Sequence, residues 1–334
     1  MNKKIARGVD LGWVSQLEAM GVFWVDEQDK QVDPLAALKK MGVDSVRLRV
    51  FVNPPESGIW KKRENETCML GFSDAAGVLE MSKRVKENGM KLMIDFHYSD
   101  HFADPQFQDI PEAWEKDSDE ELAAHVYGHT KEVLTLLTES HIYPEWVQVG
   151  NEINPGVLLP KGSVREHPEA MVAFLNAGYE AVKACCPDCQ VITHLASGAF
   201  YNECKAFYDT FFRLGGKTDI IGLSHYPYWY ELFAPGKMDD LADCMSKYVT
   251  SYGKPVMVVE VGELETEPDK SYQLLCDTIE AIKSIPGEQE TGIFYWEPEV
   301  GKNLLPDGYP LGAAVLVGEK KLRFTKAMEA YLTI

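Results

Sequence analysis

Short apolar runs alternate with longer amphipathic segments along nearly the whole chain. The short runs are typical of strands in a buried parallel sheet, and the longer segments are typical of helices that cover it. The eight predicted strands are residues 8–11, 43–52, 91–97, 147–150, 191–195, 220–223, 256–260 and 292–296. The helices predicted between and after them are residues 33–41, 74–88, 117–140, 168–185, 202–214, 238–252, 270–284 and 321–332.

Eight alternations of this kind predict one α/β domain over residues 1–334, a (β/α)8 barrel of the TIM type. No linker rich in Pro, Gly and Ser divides the chain. An open, doubly wound sheet is the alternative architecture. That fold usually has a glycine-rich phosphate loop after its first strand, and the run from Gly8 to Gly12 does not continue as G-x-G-x-x-G.

Polar residues appear where the predicted strands end. In a parallel barrel, the carboxyl ends of the strands form the rim at which catalysis takes place. The fourth strand changes abruptly from an apolar run to Asn151 and Glu152, and the seventh strand ends at Glu260. The two glutamates therefore face each other across the predicted mouth. The alternative is that Asn151 and Glu152 simply begin a loop.

A pair of carboxyl groups in this arrangement suits glycoside hydrolysis with retention of configuration. One carboxyl group stays protonated and donates to the leaving oxygen, while the other is ionised and attacks the anomeric carbon. Asn151 is placed to bind the sugar 2-hydroxyl. We expect Arg47 or Tyr226 to lie near Glu260, where a positive charge or a hydrogen bond would keep that carboxyl group ionised.

The second strand carries two arginines. Alternation puts Arg47 and Arg49 on one face, and arginines that point into a barrel are costly unless carboxylates meet them. Two interpretations remain open from the sequence. The arginines either serve the site or form an internal structural ion pair.

Aromatic and polar side chains follow several other strands. The further substrate-binding candidates are His97, Tyr98 and Asp100 after the third strand, His225, Tyr226 and Trp229 after the sixth, and Trp296 after the eighth. Aromatic rings suit the C–H faces of sugars, although single exposed aromatic residues also mark protein interfaces. We expect Tyr98, Trp229 and Trp296 to line an open groove that admits a chain from both sides.

Composition restricts the ligand and the environment. The formal net charge of −19 argues against nucleic acid and anionic membrane surfaces, and it is compatible with a neutral glycan. No apolar run is long enough to predict a membrane span. Seven cysteines, an odd number, favour a reducing, cytoplasmic compartment. No apolar signal-peptide core follows the basic first residues, although a secreted chain trimmed of its signal would look the same. We expect a monomer.

A run over residues 95–114, D-F-H-Y-S-D followed by A-D-P and P-x-x-W, is the most distinctive motif. Further segments extend from Arg7-Gly8-Val9-Asp10 to Tyr295-Trp296-Glu297-Pro298. Together they resemble glycoside hydrolase family 53 of clan A, the endo-β-1,4-galactanases or arabinogalactan endo-β-1,4-galactosidases. The resemblance covers nearly the whole chain. Asn-Glu after a strand is common to the clan and is less specific.

The resemblance implies a retaining, endo-acting hydrolase of β-1,4-galactan or type I arabinogalactan, with Glu152 as acid/base and Glu260 as nucleophile. Supporting residues implied around the bond are Arg47, His97, Asn151, Tyr226 and Trp296. The chain departs from the family at Phe102, where Trp is usual, and at His225, where Tyr is usual. The alternatives are a clan A hydrolase of another β-linked glycan or of short β-1,4-galacto-oligosaccharides, and a non-catalytic sugar-binding barrel.

Two short motifs bear on metal binding. Cys186 and Cys189 form a C-x-x-C pair, but no second pair of cysteines or histidines completes a zinc site. Some similar bacterial enzymes hold calcium after strand seven, where this chain has Glu263, Glu265 and Glu267 without a D-x-D-x-D-G pattern. We therefore expect no metal and no cofactor.

The proposed chemistry sets a distance that a crystal structure can measure. A retaining pair needs carboxyl groups ~5–5.5 Å apart, so we expect those of Glu152 and Glu260 within about 6 Å of each other. A separation near ~9 Å, with a water molecule between the two groups, would indicate inversion and would contradict the assignment.

Overall fold

The computed structural model describes residues 4–287, 290–302 and 304–334. Its strands are β1 (Ile5–Asp10), β2 (Phe23–Val25), β3 (Gln31–Val32), β4 (Ser45–Val50), β5 (Ile59–Arg63), β6 (Glu66–Met69), β7 (Lys91–Phe96), β8 (Trp146–Val149), β9 (Gly156–Val157), β10 (Gly162–Ser163), β11 (Gln190–Leu195), β12 (Ile220–His225), β13 (Val256–Val261), β14 (Thr291–Tyr295), β15 (Ala314–Leu316) and β16 (Lys321–Phe324).

The α-helices lie mostly between consecutive barrel strands. They are α1 (Val14–Ala19), α2 (Pro34–Lys40), α3 (Ala75–Glu87), α4 (Asp119–Glu139), α5 (Pro168–Cys185), α6 (Tyr201–Arg213), α7 (Pro227–Phe233), α8 (Leu241–Tyr252) and α9 (Pro268–Ser284). Two 3-10 helices cover Glu112–Trp114 and Lys326–Thr333. Among the described helices, none is both long and apolar enough to cross a membrane.

Eight parallel strands close into a barrel in the order β1, β4, β7, β8, β11, β12, β13, β14. Closure is explicit in the pairing, because β1 is bonded to β4 on one side and to β14 on the other. The predicted (β/α)8 barrel is therefore confirmed, and the open sheet is excluded. Two helix starts illustrate the local sequence signals: the Asp33 side chain accepts from the N–H of Ala36, and Ser118 and Glu121 form a capping box.

Apolar side chains from seven of the eight barrel strands fill the barrel interior below the rim. They are Ala6, Met93, Trp146, Ile192, Ile220, Met257, Val259 and Phe294. The rings of Trp146 and Phe294 meet edge to face, with centroids 6.1 Å apart. Gly8 leaves room for this packing, since a Cβ there would lie 2.1 Å from the Phe294 ring. The separate, larger core lies between the strands and the surrounding helices.

The prediction of a helix over residues 321–332 is wrong. Residues Lys321–Phe324 form β16, and the 3-10 helix Lys326–Thr333 follows. Alternation buries Leu322 and Phe324, while β16 pairs with β2 and β15 in a four-stranded sheet outside the barrel. The final segment also reaches the barrel, because the Tyr331 hydroxyl donates to the Gly8 carbonyl at 2.7 Å. Four residues of alternation were too short a signal to separate from helical periodicity.

Truncation of the barrel interior should destabilise the protein. Phe294 is fully buried against Trp146, so Phe294→Ala should lower the free energy of unfolding by roughly 3–5 kcal/mol. Urea unfolding followed by tryptophan fluorescence measures the effect. Tyr143→Ala is the control, because that aromatic residue is 62% exposed, and its loss should cost less than about 0.5 kcal/mol. Equal losses in the two variants would contradict the assigned packing.

Candidate active site

Arg47 is the centre of a buried polar cluster at the carboxyl end of the barrel. Its side chain is 1% exposed, and its guanidinium lies 2.8 Å from Asp10, 2.8 Å from Asp95 and 3.0 Å from Glu260. It also donates to Asn151 Oδ1 at 2.8 Å. One cation thus holds three carboxyl groups and an amide that come from four different strands or strand ends. The contact with Glu260 makes Arg47 part of the predicted site.

The second arginine of the strand has a different role. Arg49 forms a buried ion pair with Glu297 and donates to the Leu70 carbonyl at 2.8 Å. The sequence left open whether the two arginines serve the site or form an internal ion pair. Arg49 follows the structural interpretation, whereas Arg47 contacts the predicted nucleophile.

Glu260 is held from two sides. Arg47 Nη2 lies 3.0 Å from Oε1, and the Tyr226 hydroxyl donates to Oε2 at 3.0 Å. Both groups that the sequence placed near this carboxyl therefore contact it. Burial raises the pKa of Glu260, whereas Arg47 and Tyr226 both lower it by stabilising the ionised form.

Glu152 lies in a different environment. Its backbone is left-handed, with φ +47°, and its Oε1 accepts a hydrogen bond from Ser224 Oγ at 2.6 Å. Ser224 is the register partner of Glu260, so the two glutamates are brought to the same part of the mouth. Burial, followed by the negative charge of Glu260, raises the pKa of Glu152 well above its ordinary value. Among the described residues no arginine forms an ion pair with the Glu152 carboxyl group, so its environment favours the protonated form more than that of Glu260 does.

Behind Ser224 lies a chain of polar groups that the sequence analysis did not assign to the site. His194 Nε2 is 2.8 Å from Ser224 Oγ, and its Nδ1 is 3.0 Å from Gln148 Nε2. Burial lowers the pKa of His194 well below its usual value, so the ring is neutral. Nδ1 lies 3.0 Å from the Gln148 amide nitrogen and 2.9 Å from Asn151 Oδ1, and in the tautomer in which Gln148 donates to Nδ1 the ring proton is on Nε2 and points to Ser224. The serine hydroxyl is then free to donate to Glu152.

His97 and Asn151 are fixed by the loop after β7. His97 Nδ1 accepts the N–H of Ala103 at 2.8 Å, and its Nε2 lies 3.0 Å from Asp95 Oδ2. Asn151 Nδ2 donates to the Ala103 carbonyl at 2.8 Å. Burial lowers the pKa of His97, which therefore acts as a neutral donor to Asp95. These two contacts fix the ring beside the cluster around Arg47, and a contact of His97 with substrate stays a prediction.

Aromatic rings form a wall on the β14 and β1 side of the mouth. Trp296 lies edge-on to Trp13 at 5.2 Å and to Tyr309 at 4.6 Å, measured between ring centroids. Phe102, the position where Trp is usual, lies 6.3 Å from both Trp13 and Trp296. Trp296 is half-buried and remains a predicted sugar contact.

The predicted substrate contacts of Tyr98 and Asp100 have no support in the geometry and stay predictions. Tyr98 is 1% exposed, and its hydroxyl is 2.7 Å from Thr130 Oγ1 on α4. Its positive φ of 50° turns the ring from the mouth toward the helix layer. Both carboxylate oxygens of Asp100 accept backbone N–H groups, from Asn53 and Glu112, each at 2.9 Å. Asp100 therefore joins loops.

His225 and Trp229 flank the carboxyl end of β12. His225 is buried beside the Tyr230 ring, and burial lowers its pKa to about 4, so it is neutral. Among the described residues, its Nδ1 has no hydrogen-bond partner. Trp229 is half-buried on α7. Contacts of His225, Trp229 and Trp296 with substrate stay predictions.

The part of the chain that the structure describes contains no cluster of candidate metal ligands. No group of three or more His, Cys, Asp or Glu side chains there is arranged to hold an ion. In the loop after β13, Glu265 accepts the backbone N–H of Lys302, and burial raises the pKa of Glu265 to about 7. That carboxyl group is thus engaged within the protein.

Comparisons with known proteins agree with this geometry. A family model described as glycosyl hydrolase family 53 matches residues 6–331. A Niallia circulans protein named "Uncharacterized protein in bgaB 5′ region" is 34% identical over 321 residues, which is 87% of this chain and 82% of the relative. The arabinogalactan endo-β-1,4-galactanase of Cellvibrio japonicus is 32% identical over 323 residues, 87% of this chain and 79% of the relative. The solved Ignisphaera aggregans GH53 catalytic domain has a TM-score of 0.83 and 28% identity, over 98% of this chain and 95% of that one.

Removal of the tyrosine hydroxyl should move the acidic limb of the pH profile. The Tyr226 hydroxyl lowers the pKa of Glu260, so Tyr226→Phe should raise that pKa. The acidic limb of kcat/KM on an aryl β-galactoside should then shift to higher pH. The value at the optimum should fall about tenfold, the worth of one hydrogen bond to a charged group. A shift confined to the alkaline limb would contradict the role given to Tyr226.

Removal of the serine hydroxyl should move the opposite limb. Ser224 donates to Glu152 and lowers its pKa, so Ser224→Ala should raise that pKa further. Glu152 would then stay protonated to higher pH, and the alkaline limb of kcat/KM should shift upward. The same pH series measures both variants. An unchanged alkaline limb in Ser224→Ala would show that Glu152 does not set it.

Proposed function

The chain belongs to glycosyl hydrolase family 53, and on that premise we propose that it is a retaining endo-β-1,4-galactanase. Its substrate is the β-1,4-galactosidic bond of galactan and type I arabinogalactan. The observation that carries the proposal is the unequal environment of two neighbouring glutamates. Glu260 has Arg47 and Tyr226 to stabilise a negative charge, whereas Glu152 has a single serine hydroxyl.

In the first step, Glu260 attacks the anomeric carbon of the galactosyl residue. The glycosidic C–O bond breaks, and its electron pair goes to the leaving oxygen, which takes the proton of Glu152. The product is a covalent galactosyl ester on Glu260 and a free sugar hydroxyl. Asn151, fixed by Arg47 and the Ala103 carbonyl, presents its amide to the sugar 2-hydroxyl.

Formation of the ester prepares the second step. The negative charge of Glu260 is one cause of the raised pKa of Glu152, and the ester removes that charge. The pKa of Glu152 therefore falls once the intermediate forms, and the carboxylate becomes a base. It takes a proton from water, whose oxygen attacks the anomeric carbon and releases Glu260. Two inversions give net retention.

A second candidate substrate is a short β-1,4-galacto-oligosaccharide. All seven cysteines lie in the described part of the chain, and none is in a disulfide. Free thiols support a reducing, cytoplasmic compartment, in which the enzyme would meet imported oligosaccharides and not polymeric galactan. The net charge of −19 supports the absence of nucleic acid and anionic membrane partners. We propose that the enzyme works as a monomer.

Product profiles separate these substrates. We expect the enzyme to degrade β-1,4-galactan and galacto-oligosaccharides and to leave mannan and xylan intact. Release of mid-length products from polymer early in the reaction indicates endo action. Hydrolysis confined to oligosaccharides of a few units would favour the second candidate, and faster hydrolysis of mannan or xylan would overturn the proposed specificity.

Kinetics separate the roles of the two glutamates. Glu260→Ala should lower kcat by several orders of magnitude on every substrate, because no leaving group replaces a missing nucleophile. Glu152→Ala should nearly preserve the glycosylation step on an aryl galactoside with an acidic phenol, since that leaving group needs little protonation. Azide should then rescue the slow second step and yield a β-galactosyl azide.

The matched control is Glu231→Ala, which removes an exposed glutamate of α7 at the rim and should keep wild-type rates. Rescue of Glu260→Ala to the β-azide, with none for Glu152→Ala, would reverse the two roles. Little loss in either variant would mean that these glutamates are not the catalytic pair and would favour a different site.

A further inference from the structure

The helix that follows β12 carries an exposed apolar surface. On α7, Phe233 is 75% exposed and Leu232 is 59% exposed. The ring of Phe233 lies 6.0 Å from that of half-buried Trp229 and is inclined to it by only 18°. We call Trp229, Leu232 and Phe233 the α7 shelf. The two rings are stacked on each other, and the outer face of the Phe233 ring is left open to solvent.

Packing within the protein does not explain the outer part of this shelf. Trp229 packs against the hydrophobic core, whereas Leu232 and Phe233 lie outside it. Exposed apolar groups that sit next to one another mark a binding surface more often than scattered ones do. The recorded ring contact of Phe233 is with Trp229, one turn earlier on the same helix.

The shelf is held rigidly relative to the catalytic groups. Tyr230, on the buried side of α7, donates its hydroxyl to the Ser224 carbonyl at 2.8 Å and meets the Phe200 ring edge to face at 5.1 Å. The N–H of Tyr230 also donates to the Tyr226 carbonyl. Ser224 and Tyr226 are the residues that hold the two glutamates, so the position of the shelf is fixed with that of the reacting groups.

The barrel order shows which part of a bound chain meets the shelf. β12 lies across the mouth from β4, and the aromatic wall of Trp13 and Trp296 stands at β14 and β1, two and three strands round the barrel from β12. A chain that crosses the mouth between these surfaces has the wall at one end and α7 at the other. The wall adjoins β13, which carries Glu260, whereas Glu152 reaches Ser224 from the end of β8 on the other side of β12. We therefore assign the leaving-group side of the cleaved bond to the side of the mouth away from the wall, where α7 begins.

We propose that the α7 shelf binds galactosyl residues on the leaving-group side of the cleaved bond. The C–H face of a sugar stacks on the open face of the Phe233 ring, which Trp229 supports from the other side. The proposal rests on the proposed function and adds the location of a subsite to it. A glycan is the occupant that fits, because α7 directly follows the strand at the catalytic mouth. Galactan is also a neutral polymer in which each sugar presents an apolar C–H face.

The test follows the position of cleavage in β-1,4-galactohexaose labelled at its reducing end. In Phe233→Ala, kcat/KM on the hexaose should fall about 3- to 10-fold, the usual worth of one aromatic contact. The labelled product should become shorter, because binding modes that place many sugars beyond the cleaved bond lose their support. An aryl galactoside, whose leaving group is a small phenol, should be hydrolysed at the wild-type rate. Phe233→Tyr should restore the wild-type pattern.

Two control variants remove an exposed apolar side chain and leave the Phe233 ring in place. Tyr143→Ala removes an exposed aromatic residue between α4 and β8, at the opposite end of the barrel, and should change nothing. Leu232→Ala reduces the apolar area of the shelf and keeps both rings, so it should have a smaller effect than Phe233→Ala. Equilibrium binding of the hexaose to Glu260→Ala, with and without Phe233→Ala, gives a readout that does not depend on turnover.

Other results of these experiments would each contradict one part of the proposal. A longer labelled product would place the shelf on the other side of the bond, and an equal loss on the aryl galactoside would indicate distortion of the catalytic groups. Unchanged cleavage and binding, with a wild-type solution mass that falls in Phe233→Ala, would make the shelf a contact between copies of the chain. If the wild-type protein neither cleaves nor binds the hexaose, the proposed function itself fails, and the shelf proposal fails with it.

Discussion

The guanidinium of Arg47 is the group on which the rest of the site depends. It is buried among the carboxyl groups of Asp10, Asp95 and Glu260, so one positive charge offsets three groups that would otherwise repel one another. Removal of one partner from such a cluster leaves an uncompensated buried charge, which is far more costly than a lost surface ion pair. The contacts tie the ends of β1, β4, β7 and β13 together. The same charge therefore joins four strand ends at the rim and lowers the pKa of Glu260, the proposed nucleophile.

The different environments of the proposed acid and the proposed nucleophile depend largely on the end of one strand, β12. Ser224 lies near the end of β12 and Tyr226 directly follows that strand, and each donates to a different glutamate. His194 supports Ser224 from behind as a neutral donor, whereas Tyr226 shares its carboxyl with Arg47. A serine hydroxyl alone stabilises negative charge less than a hydroxyl and a guanidinium together. Two chemically identical side chains thus lie in different environments, as the proposed roles of acid and nucleophile require.

The barrel and the two glutamates were predictable because the burial of a strand in the barrel is visible in its own short stretch of sequence. A strand buried on both faces is a continuous apolar run, and Glu152 and Glu260 end such runs abruptly. The position of Tyr98 was not predictable, since the positive φ that turns it toward α4 has no signature in a non-glycine residue. His194 also escaped, although a histidine near the end of an apolar strand was a usable signal. The sequence analysis missed β16 because an alternating pattern of four residues does not distinguish a strand from a helical turn.

The barrel is closed by residues from the two far ends of the described chain. Ile5 of β1 pairs with Thr291 of β14, β16 pairs with β2, and the hydroxyl of Tyr331 meets the carbonyl of Gly8. During synthesis β1 gains its β14 partner only after residues 291–295 have emerged from the ribosome. Until then β1 has an unpaired edge, and the rim lacks the strand that carries Trp296. A chain that has not yet gained β14 is accordingly exposed to edge-to-edge association through β1.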